Sequence, residues 1–281
     1  QLSGYVQWRP ATAAQPPHLQ ARLARLSVPA AATDSVEALL TDDAPADPPS
    51  LDIVVEAFEL RGRKLGRVEI EAVHESPAGA AHVWRLNRLH IINPEAQFKG
   101  TGVWQAAANG AKTRRMVMDF TLALEDSGEH LARFGLNDVI RGGQGLMKGQ
   151  VSWAGSPLSW HAPSLSGAIN LKLDSGQFLK VNAGAARLLG VLSLQSLPRR
   201  LLLDFRDVFA DGFAFDNITG DVTLVRGQAT TKNMRMRGVQ AAVMMEGRAD
   251  IVRETQDINV WVVPEINAGA ASLVYAAVNP A

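Results

Sequence analysis

The chain has 281 residues, of which 47% are hydrophobic and 20% are charged. This composition excludes an intrinsically disordered chain, and the length allows one large β domain or two smaller domains. The 28 lysine and arginine residues balance 28 aspartate and glutamate residues, so no overall basic field favours nucleic acid as a partner. The absence of cysteine excludes disulfide bonds, thiolate metal sites and a cysteine nucleophile.

In residues 1–28, the first segment of the chain, the pattern predicts β-strands, and no signal-peptide pattern is present. The start at Gln1 indicates a piece of a longer polypeptide. Residues 29–50 are rich in Ala, Pro and Asp and predict a linker or surface excursion, with a short helix at 35–40. Residues 51–281 are predicted as one continuous β region with a helical insertion at about 184–209.

Alternation of apolar and polar residues is the dominant pattern of the chain. It is clearest from Met116 to Leu124, where every second residue is large and apolar and the alternates include Asp119 and Thr121. Turn signals such as Asn109-Gly110 separate the alternating segments. The same period returns in other segments: Leu165–Leu173, Ile218–Leu224, Val239–Ile251 and Ile258–Val262. The pattern predicts half-buried antiparallel strands joined as hairpins.

A loose repeat consists of glycine, any residue, an apolar residue, any residue and a large apolar residue. Its copies are Gly4–Trp8, Gly100–Trp104, Gly149–Trp153, Gly167–Leu171, Gly220–Leu224 and Gly247–Ile251. Their irregular spacing excludes a propeller or a solenoid of fixed period. A glycine that opens a strand favours a bulge or bend that curves the sheet. We therefore predict a mainly β fold, a curved antiparallel sheet that forms an open half-pipe or groove.

A few short helices are expected beside this sheet. Ser127 precedes Glu129, Leu131 and Phe134 at helical spacing, which predicts a short capped helix that ends by Gly142. The sequence from Gly184 to about 195 is also helix-like and is predicted to pack against the sheet.

Motifs that would carry catalysis or bind a metal are missing from the sequence. The six histidines occur singly, without the spacing of a metal-binding helix. Paired carboxylates at 42–43 and 125–126 fall in the linker and before a turn, where charged side chains are usually solvated. The glycine pair at 142–143 lacks the Lys-Ser/Thr of a phosphate loop. We therefore predict no enzyme activity, no metal site and no cofactor.

The segment 197–216 combines paired arginines with a dense apolar run. In one interpretation Arg200 pairs with Asp204 along a helix and stabilises the segment. In the other, Arg199 and Arg200 contact a phosphate group. Both interpretations remain open from the sequence.

An ordered string of residues extends through the second half of the chain. It comprises Leu165–Gly167, Gly176–Phe178, Gly184, Arg187–Gly190, Leu197–Leu201, Leu203–Phe205, Asp207–Phe209, Gly212–Asp216, Gly220, Gly227, Thr231, Asn233, Gly238, Ala241, Gly247, Asp250 and Val263–Pro264. This string resembles the C-terminal conserved region of the AsmA-like family, specifically its YhdP branch in the Gram-negative envelope. The resemblance is firm from about Gly100 to Pro280 and looser before that.

The resemblance implies a large periplasmic protein whose β-groove carries phospholipid between the inner and outer membranes. It also implies an inner-membrane anchor missing from the N-terminal side of this chain, and contact with the outer membrane through missing C-terminal residues. A non-transporting scaffold for envelope assembly or regulation, its concave face filled by its own helices, is the alternative. A hydrolase acting on envelope polymer is a third class, which would need polar side chains that converge in a cleft.

An apolar groove is physically suited to carry lipid. Exposing two acyl chains of about 15 methylenes each to water costs on the order of 25 kcal/mol, because each methylene contributes roughly 0.8 kcal/mol. A groove that shields the chains removes most of that barrier. The residues predicted to line the groove are Met116, Met118, Phe120, Leu122, Leu124, Ile169, Leu171, Leu173, Val222, Leu224, Val243 and Met245. The residues predicted to contact the headgroup are Arg199 and Arg200.

Overall fold

A single β-sheet dominates the computed structural model, which describes residues 3–12, 15–28, 48–60, 62–75, 83–106, 114–157, 161–179, 212–239 and 241–264. The sheet has thirteen strands, and their order in space is their order in sequence. The strands are β1 Ser3–Arg9, β2 His18–Val28, β3 Ser50–Leu60, β4 Arg63–Glu75, β5 Val83–Asn93, β6 Ala96–Ala106, β7 Arg114–Leu124, β8 Ile140–Ala154, β9 Ser166–Phe178, β10 Phe213–Val225, β11 Gln228–Arg237, β12 Ala241–Asp250 and β13 Thr255–Pro264.

The sheet is open, with β1 and β13 at its two edges. Neighbouring strands are antiparallel with one exception. The prediction of a mainly β fold built on an open sheet is therefore confirmed. Because the sheet does not close, one of its faces is available to form a groove.

The exception is the pair formed by β2 and β3, which run parallel with Leu19 opposite Leu51 and Leu23 opposite Val55. At this pair the prediction of an antiparallel sheet is wrong. Parallel neighbours need a connection that returns the chain to the same end of the sheet, and a long connection can do so. Residues 29–47, which connect these strands and include most of the predicted linker and its helix, lie outside the described residues.

The cross-strand register places the apolar residues of successive strands on one face, which we call the inner face. Leu122 of β7, for example, lies opposite Phe98 of β6 and Met147 of β8, and Met147 lies opposite Leu171 of β9. The opposite, outer face carries most of the polar alternates, together with exposed apolar residues such as Met244 and Trp261. This separation follows directly from the period of two, because successive side chains of a strand point to opposite faces.

Burial of the inner face indicates that the sheet curves. Trp84, Trp104 and Met116 are only 1%, 0% and 1% exposed. A flat single-layer sheet leaves both faces in water, so such burial requires inner-face side chains to converge and pack on one another. The inner face is therefore the concave face.

One short helix, α1 Ser127–Arg133, joins β7 to β8 and confirms the helix predicted there. Its N-cap is Asp126, whose carboxylate accepts a hydrogen bond from the Glu129 N–H at 3.0 Å. The Ser127 hydroxyl instead donates to the Gly142 carbonyl at 2.6 Å, which ties the helix to β8.

A 3₁₀ helix at Ala162–Ser164 precedes β9. Neither this helix nor α1 is long and apolar enough to cross a membrane, and the described ranges contain no helix that is.

The repeat glycines do not all open strands, so that prediction is wrong for part of the set. Gly4 and Gly167 lie next to a strand start, whereas four others lie in strand interiors: Gly100, Gly149, Gly220 and Gly247. The predicted irregularities are present at some copies, since the register shifts beside Gly4 in β1 and across Gly220 in β10. The predicted insertion at 184–209 lies outside the described residues.

Candidate functional site

The inner face divides into two buried flanks and a half-buried floor. The tryptophan flank is built from Leu51, Ala72, Trp84, Leu86, Trp104, Met116, Val151, Trp153, Leu165 and Leu224. The helix flank is built from Ala96, Leu124, Leu173, Phe213, Phe215, Ile218, Met236, Ala241 and Val243. The floor lies between them and is formed by half-buried residues: Phe98, Met118, Phe120, Leu122, Met147, Ile169, Leu171, Val222, Met245, Ile258 and Val260.

The floor is continuous along the strands as well as across them. In β7 the residues Met116, Met118, Phe120, Leu122 and Leu124 pass from one flank to the other on a single face. The floor residues of this strand pack against the flank nearest to them, so the two buried clusters are linked through the floor. The result is one apolar track with packed sides.

The centre of the floor is shaped by an aromatic ring between two glycines. Phe120 lies opposite Gly100 on one side and opposite Gly149 on the other. A Cβ atom on Gly149 would come 2.9 Å from the Phe120 ring and 2.6 Å from the Ala168 carbonyl oxygen. Phe120 also stacks on Phe98, with ring centroids 5.9 Å apart and planes inclined by 14°. The missing side chain therefore lets the ring lie low on the sheet.

The indole N–H groups of the tryptophan flank donate hydrogen bonds to backbone carbonyls near the ends of the strands. The indole N–H of Trp84 donates to the Pro49 carbonyl at 3.0 Å, and that of Trp104 donates to the Gly155 carbonyl at 2.6 Å. The indole N–H of Trp153 donates to the Ser156 carbonyl at 2.8 Å. Each buried ring thus satisfies its donor while its apolar body packs in the flank.

A cation lies at the outer limit of the tryptophan flank. Arg114 is two residues before Met116 in β7 and so shares its face, and its guanidinium carbon is 4.4 Å from the ring centroid of Trp104. Its neighbour Arg115 has the opposite orientation and donates to the Ser152 hydroxyl at 2.7 Å on the outer face. Arg114 therefore places positive charge on the inner side of this rim.

The helix flank is closed by an ion pair between Arg133 of α1 and Glu95, which lies between β5 and β6. The Glu95 side chain is 7% exposed, and the Arg133 guanidinium also donates to the Lys64 carbonyl. The hydrogen bond from Arg133 lowers the pKa of Glu95 although burial opposes this shift. The carboxylate is thus kept charged and paired within the protein.

His130 lies beside this pair and is half-buried against Phe134, with ring centroids 5.1 Å apart. Burial lowers the pKa of His130, and the positive charge of Arg133 adds to the shift while Glu95 opposes it. The Nδ1 atom is buried and makes no hydrogen bond. His130 is therefore a neutral packing residue at pH 7.

Polar residues of the outer face form ladders rather than a cleft. Asp221 accepts from Asn170 at 2.8 Å and from Asn233 at 2.7 Å, and these hydrogen bonds lower the pKa of Asp221. Arg22 donates to both carboxylate oxygens of Asp52 at 2.7 Å. In the portions of the chain that the structure describes, no group of three acidic or histidine side chains could hold a metal ion.

All the residues predicted to line the groove lie on the inner face, but the structure separates them by burial. Those that are buried in the flanks are Met116, Leu124, Leu173, Leu224 and Val243. Those that are half-buried on the floor are Met118, Phe120, Leu122, Ile169, Leu171, Val222 and Met245. Arg199 and Arg200 lie outside the described residues. Val239, which the alternation placed on the apolar face, lies after β11 and is 76% exposed.

Several residues of the site were missed by the sequence interpretation, although part of the signal was present. Trp104 and Trp153 each end a copy of the glycine repeat, and both fall in the tryptophan flank. The shared position in the repeat could have placed them together. Arg114 and Glu95 belong to no motif, so only the fold reveals their location.

Comparison with known proteins gives one family and one curated relative to set beside this geometry. The sequence profile of the YhdP protein family matches residues 1–281. A protein of Escherichia coli (strain K12) named "Intermembrane phospholipid transporter YhdP" is 32% identical over 148 residues, which are 52% of this chain and 12% of that protein. No solved structure matches. Because the profile covers the whole chain and agrees with the residue string described above, the chain belongs to the YhdP protein family.

Proposed function

We propose that this chain forms a segment of a conduit that carries phospholipid along its inner face. The observation that carries the proposal is the half-buried apolar floor, which crosses the sheet without interruption by a charged side chain from β6 to β10. The name of the E. coli relative supports phospholipid as the cargo. In this arrangement acyl chains lie on the floor and headgroups face water.

The dimensions of the sheet agree with this role. Thirteen strands spaced by about 4.8 Å extend roughly 58 Å across the strand direction. The uninterrupted floor from β6 to β10 accounts for roughly 19 Å of this width and offers acyl chains a shielded path along the sheet. The proposed work is transport, which needs an apolar path and no catalytic residue.

The residues that contact the acyl chains are the half-buried members of the predicted set. Side chains such as Phe120, Leu122 and Leu171 combine an apolar surface with partial exposure. Buried members such as Met116 and Val243, 1% exposed each, hold the flanks in place instead. In this proposal the floor residues contact the acyl chains of the lipid, and the buried flank residues stabilise the sheet.

Membership of the family supports the wider setting of the proposal. We place the protein in the Gram-negative cell envelope, where its conduit spans the periplasm between the inner and outer membranes. Membrane attachment is assigned to segments outside this chain. The alternative, a scaffold for envelope assembly, requires that protein rather than lipid cover the floor.

The test places a charge on either face of β7. Leu122→Asp puts a carboxylate on the floor, whereas Thr121→Asp puts one on the outer face, opposite Lys99 and Lys148. Native mass spectrometry with lipid extraction would measure phospholipid bound to the purified chain. We expect wild type and Thr121→Asp to retain bound phospholipid. Leu122→Asp should bind at least about tenfold less phospholipid, because burying a charge against acyl chains costs several kcal/mol.

Thermal unfolding of each variant checks that the sheet is intact. If Leu122→Asp does not fold, Met147→Gln, a neutral polar change at a half-buried floor residue, replaces it. Wild-type protein that carries no phospholipid would support the scaffold. Equal lipid binding by folded floor and outer-face variants would contradict the assignment of the floor.

A further inference from the structure

We propose that the outer face of β11–β13 docks on the surface of a phospholipid bilayer. The surface in question, the docking patch, consists of Lys232, Arg235, Met244, Glu246, Trp261 and Val263. This inference goes beyond the proposed function, because it concerns the face of the sheet that the cargo does not touch. It is also distinct from membrane attachment, which is assigned to segments outside this chain.

Apolar side chains are exposed at the centre of the docking patch. Met244 of β12 lies directly opposite Trp261 of β13, and the two residues are 40% and 46% exposed. Val263, two residues beyond Trp261 on the same face, is 52% exposed. An indole ring combines an apolar body with a polar N–H, so an exposed tryptophan beside other apolar residues suits the interface of a membrane.

Charged side chains surround this apolar centre and are not paired with one another. Lys232, Arg235 and Glu246 all line one cavity of about 290 Å³. Within the described ranges, none of the three forms an ion pair or a side-chain hydrogen bond. Elsewhere on the outer face such groups are paired, as Arg22 is with Asp52 at 2.7 Å. The unpaired charges of the cavity are therefore available to a ligand that carries the opposite charges.

A β-bulge in β11 produces the cationic side of the docking patch. The register shifts between Thr231 and Met234, where β11 has one residue more than β12. Within the bulge, the Asn233 amide is held by Asp221, to which it donates at 2.7 Å. Lys232 precedes it, lines the cavity and is exposed. The irregular backbone thus directs an additional cation to this surface, as bulges beside binding sites commonly do.

The charges of the docking patch match those of phospholipid headgroups. A bilayer of phosphatidylethanolamine and phosphatidylglycerol presents phosphates beside ammonium groups. Lys232 and Arg235 suit the phosphates, the guanidinium through its paired donors. Glu246 suits an ammonium group and lies roughly 7–8 Å from Arg235, because it is two residues from Met244, which is opposite Arg235. A bilayer therefore satisfies the apolar residues and both kinds of charge at once.

The location of the docking patch connects it to the groove. β13 is an edge strand of the sheet. On the inner face of the same strands lie half-buried floor residues such as Met245 and Val260. Docking through the outer face therefore holds one edge of the apolar floor beside a membrane.

Vesicle flotation of the full chain tests the docking patch. One set of vesicles contains phosphatidylethanolamine and phosphatidylglycerol, and the other contains a digalactosyl lipid with the same acyl chains but no phosphate or ammonium group. We expect wild type to bind the first set at least about tenfold more tightly than the second. Arg235→Gln should weaken binding to the first set about fivefold, and Trp261→Ser at least about tenfold.

Matched controls remove equivalent groups from other parts of the outer face. Lys172→Gln removes a cation that is paired with Asp174, and Tyr5→Ser removes an exposed aromatic residue from the opposite edge of the sheet. Both variants should bind vesicles nearly as wild type does. Thermal unfolding checks that each variant is folded, and Val263→Ser replaces Trp261→Ser if the latter does not fold.

The outcomes separate docking from the conduit. Leu122→Asp changes the floor and should still float with vesicles, whereas the patch variants should still retain lipid in native mass spectrometry. Wild type that floats with neither set, or with both sets equally, overturns the docking inference and leaves the conduit intact. Patch variants that float as wild type does also overturn it. Loss of flotation in Leu122→Asp but not in Trp261→Ser would assign vesicle binding to the floor.

Discussion

Arg133 of α1 and Glu95 of the β5–β6 connection form an ion pair across the end of the sheet. Backbone N–H groups of Glu125 and Asp126 donate to the Glu95 carbonyl at 2.9 and 3.2 Å, so the main chain and the side chain of one residue both hold this end together. The helix is thereby fixed against strands that are distant in sequence.

Arg133→Met should lower the free energy of unfolding by about 2–3 kcal/mol, because it leaves the buried Glu95 carboxylate without its partner. Urea unfolding followed by circular dichroism measures the change. Arg248→Met removes an exposed arginine paired with the exposed Asp257 on the outer face and serves as control. The control should hardly move the unfolding midpoint, since water screens the exposed pair.

Acid should remove the contribution of the Glu95 carboxylate. Its folded-state pKa lies below the unfolded-state value of about 4.3, so the stabilisation is complete above that value and is lost as the pH falls through the folded-state pKa. The stability difference between wild type and Arg133→Met should therefore shrink in acid. A difference that stays constant down to pH of about 3 would contradict this assignment.

His130 should produce a second pH dependence at higher pH. Burial lowers its folded-state pKa below the unfolded-state value of about 6.5, so the unfolded chain binds the proton more readily and stability falls as the pH drops below that value. His130→Leu should lose less stability than wild type between pH 7.5 and 5.5, as measured by thermal unfolding. A stability profile of His130→Leu that matches the wild-type profile over this range would contradict the assignment.

Gly149→Ala should lower the free energy of unfolding by about 2–3 kcal/mol, because the new methyl group meets the Ala168 carbonyl and the Phe120 ring. Gly62→Ala is the matched control, since no atom lies within 4 Å of its Cβ position and only its positive φ of 77° adds strain. The control should cost about 1 kcal/mol. Equal losses in urea unfolding would mean that close approach does not shape the floor.

Trp104→Phe should lower the free energy of unfolding by about 1–2 kcal/mol, because the Gly155 carbonyl loses its indole donor in a buried flank. Circular dichroism is the appropriate signal, since the substitution removes a fluorophore. Trp261→Phe on the outer face, where the side chain is 46% exposed, should change stability much less. A larger loss for Trp261→Phe would contradict the role of the tryptophan flank.

The residues that share a face could be predicted from the sequence because the pleat enforces a period of two. Phe120, Leu171 and Met245 lie on strands that are far apart in sequence, and the alternation alone places them on one surface. Burial is different, because it depends on how strongly the sheet curves. Met116 and Met118 are equivalent in the pattern, yet one is buried in a flank and the other is half-buried on the floor.

Irregular backbone limits the prediction further. Ser175 has a φ of 51°, which interrupts the regular alternation of β9. Strict alternation from Leu173 would place Phe178 on the outer face, yet Phe178 packs with the helix flank. In β10, Phe213 and Phe215 also lie in the helix flank together with Ile218, although strict alternation would place them on the other face. A local pattern does not locate such a bulge. Nor does it encode the direction of β3, because that direction is set by pairing with β2.

The strand order has a consequence for how the sheet assembles. Some antiparallel neighbours follow each other closely in sequence, namely β3 and β4, β5 and β6, and the four strands from β10 to β13, so these can pair as hairpins soon after they leave the ribosome. Two pairings instead join residues that are far apart in sequence: Leu19 with Leu51 in the parallel pair, and Phe178 with Phe213 between β9 and β10. We therefore expect three blocks, β1–β2, β3–β9 and β10–β13, to gain hydrogen-exchange protection separately before the two long-range seams join them.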